Sequence, residues 1–382
     1  MHKRSLVVSS LAALILFFAN CSKNNNTIIN SSSFKALPLL VPAPADNPIT
    51  DSKIVLGKLL FWDPILSGTK EVACATCHHA SLGFTDNLDL SIGVNGSGLG
   101  SNRHFLANNL YPFTKRNCQT IINTAYNGIN ENGTCDAASA AMFFDLRTKS
   151  LELQSLEPIK TIEEMKGNKI PSTEILDTVI ARITKVPLYA QMFKTAFENN
   201  NAVTIQNLGK AIATYERTIV SNKSPYDNYI RGDQSALSNA QINGMKVFQE
   251  TGCLNCHKGP MFSDYELHVI SAPDNPKQAT DGGVNYTYQF RTASLRNLAH
   301  TAPYMHSGVF KSLDEVLDFY DRVGNRRSQN PHVSSNQLDS KLQHITVQDK
   351  NNIIQFLNSL NDVSFDKSIP TSVPSGLKVG GN

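Results

Sequence analysis

With 382 residues the chain is long enough for two domains, and its 35 Lys and Arg nearly balance its 32 Asp and Glu. The formal charge of +3 is too slight to imply a nucleic-acid partner, and no run of like charges marks a docking face. Seven cysteines are present, and four of them lie in two Cys-x-x-Cys-His motifs.

The first element is a targeting segment. His2, Lys3 and Arg4 precede a short apolar run from Leu6 to Phe18, too short to span a membrane and in the pattern of a secretory signal. Cys21 follows at once, which predicts a lipoprotein with residues 1–21 as signal and a lipid on Cys21 as membrane tether. Asn20 is not the small residue usual before such a cysteine, so ordinary cleavage is the alternative. Residues 22–50 read as a polar tether, with Ser22 to Ser33 rich in Asn and Ser. The expected location is the bacterial periplasm or cell envelope.

The pattern beyond is mainly helical. Asp51 to Phe61 places Ile54, Val55, Leu59 and Leu60 on roughly one face, and the motif Cys74-Ala-Thr-Cys77-His78 follows. Loops rich in Gly, Asn and Asp are expected at Leu82 to Arg116 and at Ser271 to Phe290. Val203 to Val220 carries Ile205, Leu208, Ile212, Tyr215 and Ile219 at helical spacing. The cluster of Asn, Ser, Pro, Asp and Gly from Ser221 to Ser235 predicts a domain boundary. Ser238 with Gln241 reads as a capping box opening a helix through Phe248, just before Cys253-Leu-Asn-Cys256-His257. Ser312 with Glu315 opens another over Leu313 to Val323, and Thr346 with Asp349 a last one facing Ile353, Phe356, Leu357 and Leu360 inward. The tail beyond Asp362 is polar, expected to be flexible or draped over the surface.

Each Cys-x-x-Cys-His reads as a covalent c-type haem attachment, with Cys74 and Cys77, or Cys253 and Cys256, as thioether carriers and His78 or His257 as iron ligand. A zinc site would want a second Cys/His pair at short spacing, and none follows either motif. A helix with a glycine precedes each motif, Leu56-Gly57-Lys58-Leu59-Leu60-Phe61 in one half and Asn243-Gly244-Met245-Lys246-Val247-Phe248 in the other. The expectation is a mainly α protein of two cytochrome c-like domains, each with one haem c, joined by long loops. The divisions are 51–220, 221–345 and a final helix and tail over 346–382. Cys118 and Cys135 remain as an even pair, and an oxidising compartment predicts a disulfide between them, with two buried free thiols as the alternative. His79, beside His78, is expected at the surface.

From about Leu56 to Leu360 the chain resembles the bacterial dihaem cytochrome c peroxidases and their relatives, including the dihaem enzyme that forms tryptophan tryptophylquinone. The landmarks are Leu56-Gly57-Lys58-Leu59-Leu60-Phe61, Gly83-Phe84-Thr85-Asp86, Tyr215-Glu216-Arg217-Thr218, Leu295-Arg296-Asn297 and Thr301-Ala302-Pro303-Tyr304-Met305-His306-Ser307-Gly308. The resemblance implies that peroxide reacts at the N-terminal haem, in a pocket holding Gln154, Pro158 and Glu164. A carboxylate there can shuttle a proton between the peroxide oxygens, and an amide can orient them. It also implies a Ca²⁺ held by Asn117 and the carbonyls of Thr301 and Pro303, and a haem propionate bonded by His306.

Three departures from the best-known members matter. Val94 stands where many have a histidine that blocks the first iron, which implies an open iron, with His104 the one other histidine on that loop. Tyr320 falls where those members place a methionine ligand to the second iron, with Met305 or a purely structural Tyr320 as alternatives. Phe144, in Phe143-Phe144-Asp145-Leu146-Arg147, replaces a tryptophan between the haems. The implied function is reduction of hydrogen peroxide to water with electrons from a small cytochrome or copper protein. The alternatives are a peroxide-dependent oxidase of a partner protein's side chains and a plain electron carrier. A homodimer is the family's usual assembly.

Overall fold

The computed structural model describes residues 33–381. The signal segment, Cys21 and the tether as far as residue 32 lie outside the described residues. Eleven α-helices run through the described part: α1 (Asp51–Trp62), α2 (Cys74–Cys77), α3 (Leu151–Gln154), α4 (Glu157–Lys160), α5 (Ile175–Thr184), α6 (Pro187–Phe197), α7 (Ile205–Glu216), α8 (Pro225–Ile230), α9 (Asn239–Glu250), α10 (Leu313–Gly324) and α11 (Val347–Asn358). Among the described residues sheet is confined to three antiparallel pairs of two-residue strands: β1 (Gly96–Ser97) with β2 (His104–Phe105), β3 (Ala141–Met142) with β4 (Thr148–Lys149), and β5 (Leu267–His268) with β6 (Phe290–Arg291). The fold is therefore mainly α with little sheet.

Each half is organised by two helices that cross at a glycine. A Cβ on Gly57 of α1 would overlap the carbonyl oxygen of Ala211 on α7, and one on Gly244 of α9 would overlap that of Asn352 on α11. Only glycine lets the backbones approach this closely, so the same device places the segment before each Cys-x-x-Cys-His motif. Ser238 and Thr346 cap α9 and α11 with reciprocal boxes: Gln241 N–H donates to Ser238 Oγ at 3.3 Å, and Asp349 N–H to Thr346 Oγ1 at 3.2 Å.

The buried stripe of α1 differs from the expected one. Val55 is 52% exposed, while Lys53, Leu56, Gly57 and Leu60 face the core at helical spacing. A lysine serves on that face because its ammonium donates to Asn47 Oδ1 (3.1 Å) and Pro48 O (3.0 Å). Its charged end is satisfied while its stem packs.

One core draws on α1, α5, α6 and α7 and includes Leu60, Phe61, Phe193 and Ile212. The other is an aromatic cluster of Phe34, Tyr226, Phe248, Phe262 and Phe356, whose rings meet mostly edge to face. The chain ends cross between the halves. Phe34 and Leu37, expected in the tether, are buried; Phe34 enters the second core, and Leu37 N–H donates to Asp227 Oδ1 at 3.0 Å. The tail runs back over the first half, with Phe365 and Val373 in its core and Ser375 Oγ donating to Asp63 Oδ1 at 2.7 Å.

Each half also holds a buried arginine gripped by one carboxylate. Arg217 meets Glu152 at 2.5 and 3.1 Å, tying α3 to the end of α7. Arg296 meets Asp227 of α8 at 2.7 and 2.9 Å, with side chains 2% and 0% exposed. Removing one partner of such a pair leaves a buried charge without compensation. Asp227→Ala should destabilise the protein by about 3–5 kcal/mol in urea unfolding, and adding Arg296→Leu should recover part of that loss.

Candidate functional site

His78 and His257 are held in the same way. His78 Nδ1 lies 3.1 Å from Phe84 O, and His257 Nδ1 lies 2.9 Å from Phe262 O. A carbonyl can only accept, so each Nδ1 carries the proton and each Nε2 keeps its lone pair. Burial pushes the pKa of both rings down, which favours the neutral form. A neutral imidazole anchored through Nδ1–H is the usual state of a metal-ligating histidine.

The two accepting residues share more than their type. Phe84 (φ 54°) and Phe262 (φ 52°) are buried and adopt the left-handed backbone region that bulky residues avoid. Each is followed by a hydroxyl residue and an aspartate, Phe84-Thr85-Asp86 and Phe262-Ser263-Asp264. Both aspartates accept from the N–H two residues on, Leu88 and Glu266, at 3.1 Å. This repeat was available in the sequence, and reading Gly83-Phe84-Thr85-Asp86 as a landmark of one half alone missed it.

Both motifs open onto one continuous cavity of about 690 Å³ that lies between the halves. Every expected site residue lines it: Cys74, Cys77 and His78; Cys253, Cys256 and His257; Gln154, Pro158 and Glu164; Tyr320; His306; and Asn117, Thr301 and Pro303. Four thiols and two lone-pair imidazoles around one cavity fit two covalently attached haems. So does His306, whose buried Nε2 has no hydrogen-bond partner and whose pKa burial lowers to about 4.

Gln154 and Pro158 come from α3 and α4, and Glu164 from the π-helical turn Ile162–Lys166. Such turns recur where a side chain must be re-aimed at a functional site. Burial, with the nearby charges of Glu163 and Glu157 and against that of Arg147, raises the Glu164 pKa to about 7. That places a carboxyl with a proton affinity near neutrality inside the cavity. Val94 is 1% exposed and packs into the first core, while His104 is exposed and bonded to Asn102 O at 3.0 Å. Neither lines the cavity.

Across the cavity, Leu313, Val316, Leu317 and Tyr320 present one stripe of α10 to it. Burial, then proximity to Cys256 and Cys253, raises the Tyr320 pKa. Met305 lines the cavity as well. Beside Cys256, His268 is pinned between Asp264 (3.1 Å) and Asp339 (2.5 Å). Both its ring nitrogens are engaged, so Cys256, Asp264 and His268, though clustered, read as an ion group and not a metal site. Asn117 donates its amide N–H to the carbonyls of Leu88 (2.9 Å) and Asp89 (3.3 Å), which leaves Oδ1 to accept a cation. Phe144 lines the cavity near His306, on which Phe290 stacks with ring centres 3.7 Å apart.

Two expectations are corrected. Cys118 and Cys135 are free. The Cys118 thiol packs against Cys77 O (3.2 Å) and the His78 ring (3.3 Å), whereas Cys135 donates to Asn127 O (3.1 Å). His79 is buried, not exposed: its Nδ1 accepts from Ser81 N–H at 3.2 Å and its ring meets the edge of Trp62. Local capping and packing decide its place, which its neighbour in sequence could not reveal.

Residues 51–235 match the family model for di-haem cytochrome c peroxidase. The chain is 33% identical to the cytochrome-c peroxidase IdrP1 of a Pseudomonas species, over 94% of this chain and 91% of that one. It is 32% identical to the methylamine utilization protein MauG of Methylorubrum extorquens, covering 85% of this chain and 82% of that one. Among solved structures it is similar to a MauG-like protein associated with microbial copper homeostasis, with a TM-score of 0.68 and 27% identity, covering 85% of this chain and 95% of that one.

Titrating denatured, unreduced protein with a thiol reagent should find Cys118 and Cys135 both reactive. Reactivity that appears only after reduction would show them bridged.

Proposed function

The chain belongs to the di-haem cytochrome c peroxidase family, and on that premise we propose that it reduces hydrogen peroxide to water with electrons from a small cytochrome or copper protein. It is an oxidoreductase of the cytochrome-c peroxidase type, and membership carries two haem c groups. In this reading residues 51–220 form the peroxide-reacting half and residues 221–345 the electron-transfer half. Cys74 and Cys77 carry one haem and His78 ligates its iron; Cys253, Cys256 and His257 do the same for the other. The single observation that supports this most is the matched Nδ1–H bond that leaves Nε2 of each histidine as a donor.

When bound, the first haem supplies an iron that binds peroxide and passes electrons to it, two per molecule with two protons, giving two waters. The chain's own contribution is proton transfer. Glu164, as carboxylate, accepts a proton from one peroxide oxygen and returns it to the other, which leaves as water. Gln154 orients the peroxide through its amide, and Pro158 adds an apolar wall. Val94 packs away from the cavity, so this face of the first site stays open. Tyr320 would hold the iron of the second site, where its phenolate would favour the ferric state. His306 Nε2 bonds a haem propionate. Asn117 Oδ1 and the carbonyls of Thr301 and Pro303 hold a Ca²⁺.

The runner-up is a peroxide-dependent oxidase of side chains on a partner protein, favoured by the open first site together with Tyr320. Reduced donor cytochrome decides between them, because a peroxidase returns to rest with it and a partner oxidase does not. A plain electron carrier has no use for a carboxyl held near pKa 7 in the cavity. The expected N-terminal signal and Cys21 support a location in the periplasm or cell envelope with a lipid tether; no helix of the described residues is long and apolar enough to cross a membrane. A homodimer is the proposed assembly.

The proton acceptor must be deprotonated to act. The second-order rate with peroxide should therefore rise with pH through about 7 and level off above it. In stopped-flow spectra Glu164→Gln should keep both haems, lose this pH dependence and slow the reaction by roughly 10²–10⁴-fold. A near-normal rate would remove Glu164 from the mechanism.

A further inference from the structure

The turn that carries Glu164 is gripped from two sides by backbone with no room for a side chain. On one side, Gly68 N–H donates to Met165 O at 2.9 Å, and a Cβ on Gly68 would overlap Lys166 O. On the other, Val94 N–H donates to Glu163 O at 3.2 Å, and a Cβ on Gly93 would overlap the carbonyl oxygens of Glu163 and Glu164. The position of Glu164 therefore depends on where the loop 91–98 lies.

That loop has little regular structure to hold it. β1 contributes only Gly96 and Ser97. Thr114 holds Ser91 at one end and Leu106 N–H donates to Asn95 O, and between and beyond these ties the loop is held by Arg103, a residue 5% exposed that forms no ion pair among the described residues. Its guanidinium reaches back instead to three loop carbonyls: Nε donates to Ile92 O (2.5 Å), Nη2 to Gly93 O (2.8 Å) and Nη1 to Gly98 O (3.0 Å). Bonds from a charged donor are about twice as strong as neutral ones, and the rigid fork sets the three carbonyls in one geometry. Val94 adds an apolar anchor in the first core beside this fork.

We propose that Arg103 is the positioning residue for Glu164: its guanidinium fixes the loop 91–98, and through Gly93 and Val94 that loop fixes the backbone from which the carboxyl projects. The place of the blocking histidine in other family members thus becomes, in this chain, a strut for the proton acceptor. The inference rests on the reading of Glu164 as proton acceptor and extends it to a residue outside the cavity.

The test uses the holoprotein with Arg103→Lys and, separately, Gly93→Ala. Arg103→Lys keeps the charge but cannot span three carbonyls; Gly93→Ala keeps Arg103 and presses a methyl on Glu163 and Glu164. Hydrogen exchange read by mass spectrometry should accelerate about tenfold or more over both 91–98 and 162–167 in Arg103→Lys. The pH midpoint of the peroxide rate should fall from about 7 toward the ordinary carboxylate range in both variants, as a displaced Glu164 regains solvent. Glu163, Glu157 and Arg147, the charged groups that face Glu164, are untouched by either change. Faster exchange confined to 91–98 with an unmoved midpoint would overturn the proposal, as would no change in either quantity. If Glu164→Gln alone reacts normally, the role of Glu164 falls, while exchange over 162–167 still reports whether Arg103 holds the turn.

Discussion

The hydrogen bond from a histidine Nδ1–H to the carbonyl of a phenylalanine a few residues on, made once in each half, is the constraint on which the site depends. It sets the tautomer, turns Nε2 toward the cavity and holds the ring still. Its cost is visible in the backbone: Phe84 and Phe262 both sit in the left-handed region while buried. The aspartate turns that follow them and the aromatic packing around both rings hold this conformation against its strain. Around that shared core the halves are built alike, by glycine helix crossings and buried arginine pairs, and the chain termini strap each half to the other.

What differs between the halves gives the protein its chemistry. The first faces Gln154, Pro158 and a Glu164 whose proton affinity burial moves to near neutrality. The second faces the apolar stripe of α10 and Tyr320, with the carboxylates of Asp264 and Asp339 bound to His268 at its edge. In the proposed reading, two attachment sites of one design serve unequal tasks, one to meet peroxide and one to hold charge. Phe144 lines the cavity that both sites share, beside the stacked rings of His306 and Phe290. Phenylalanine is far harder to oxidise than tryptophan, so in the proposed reading electron exchange between the sites would use Phe144 as packed medium and not as a ring radical.

Much of this was legible in the sequence because its signals are local. Cys-x-x-Cys-His states its chemistry in five residues, capping boxes announced α9 and α11, and helical spacing put Leu313, Val316, Leu317 and Tyr320 on one face. The misreadings turn on partners that a residue's type and periodicity do not reveal. Lys53 is on the core side of α1 because Asn47 and Pro48 receive its ammonium. Phe34 and Phe365 left polar segments for cores formed by residues far along the chain. Cys118 and Cys135 were paired by counting, yet each thiol has a different neighbour. Arg103 lies in the loop expected at Leu82 to Arg116, and nothing nearby in sequence reveals that it binds three carbonyls.

In the proposed reading two similar sites differ in access, one open and one closed by Tyr320. Low-temperature electron paramagnetic resonance of the resting ferric holoprotein tests it most directly. One high-spin haem and one low-spin haem in equal amounts are expected; two low-spin haems, with no high-spin signal, would rule out an open first site.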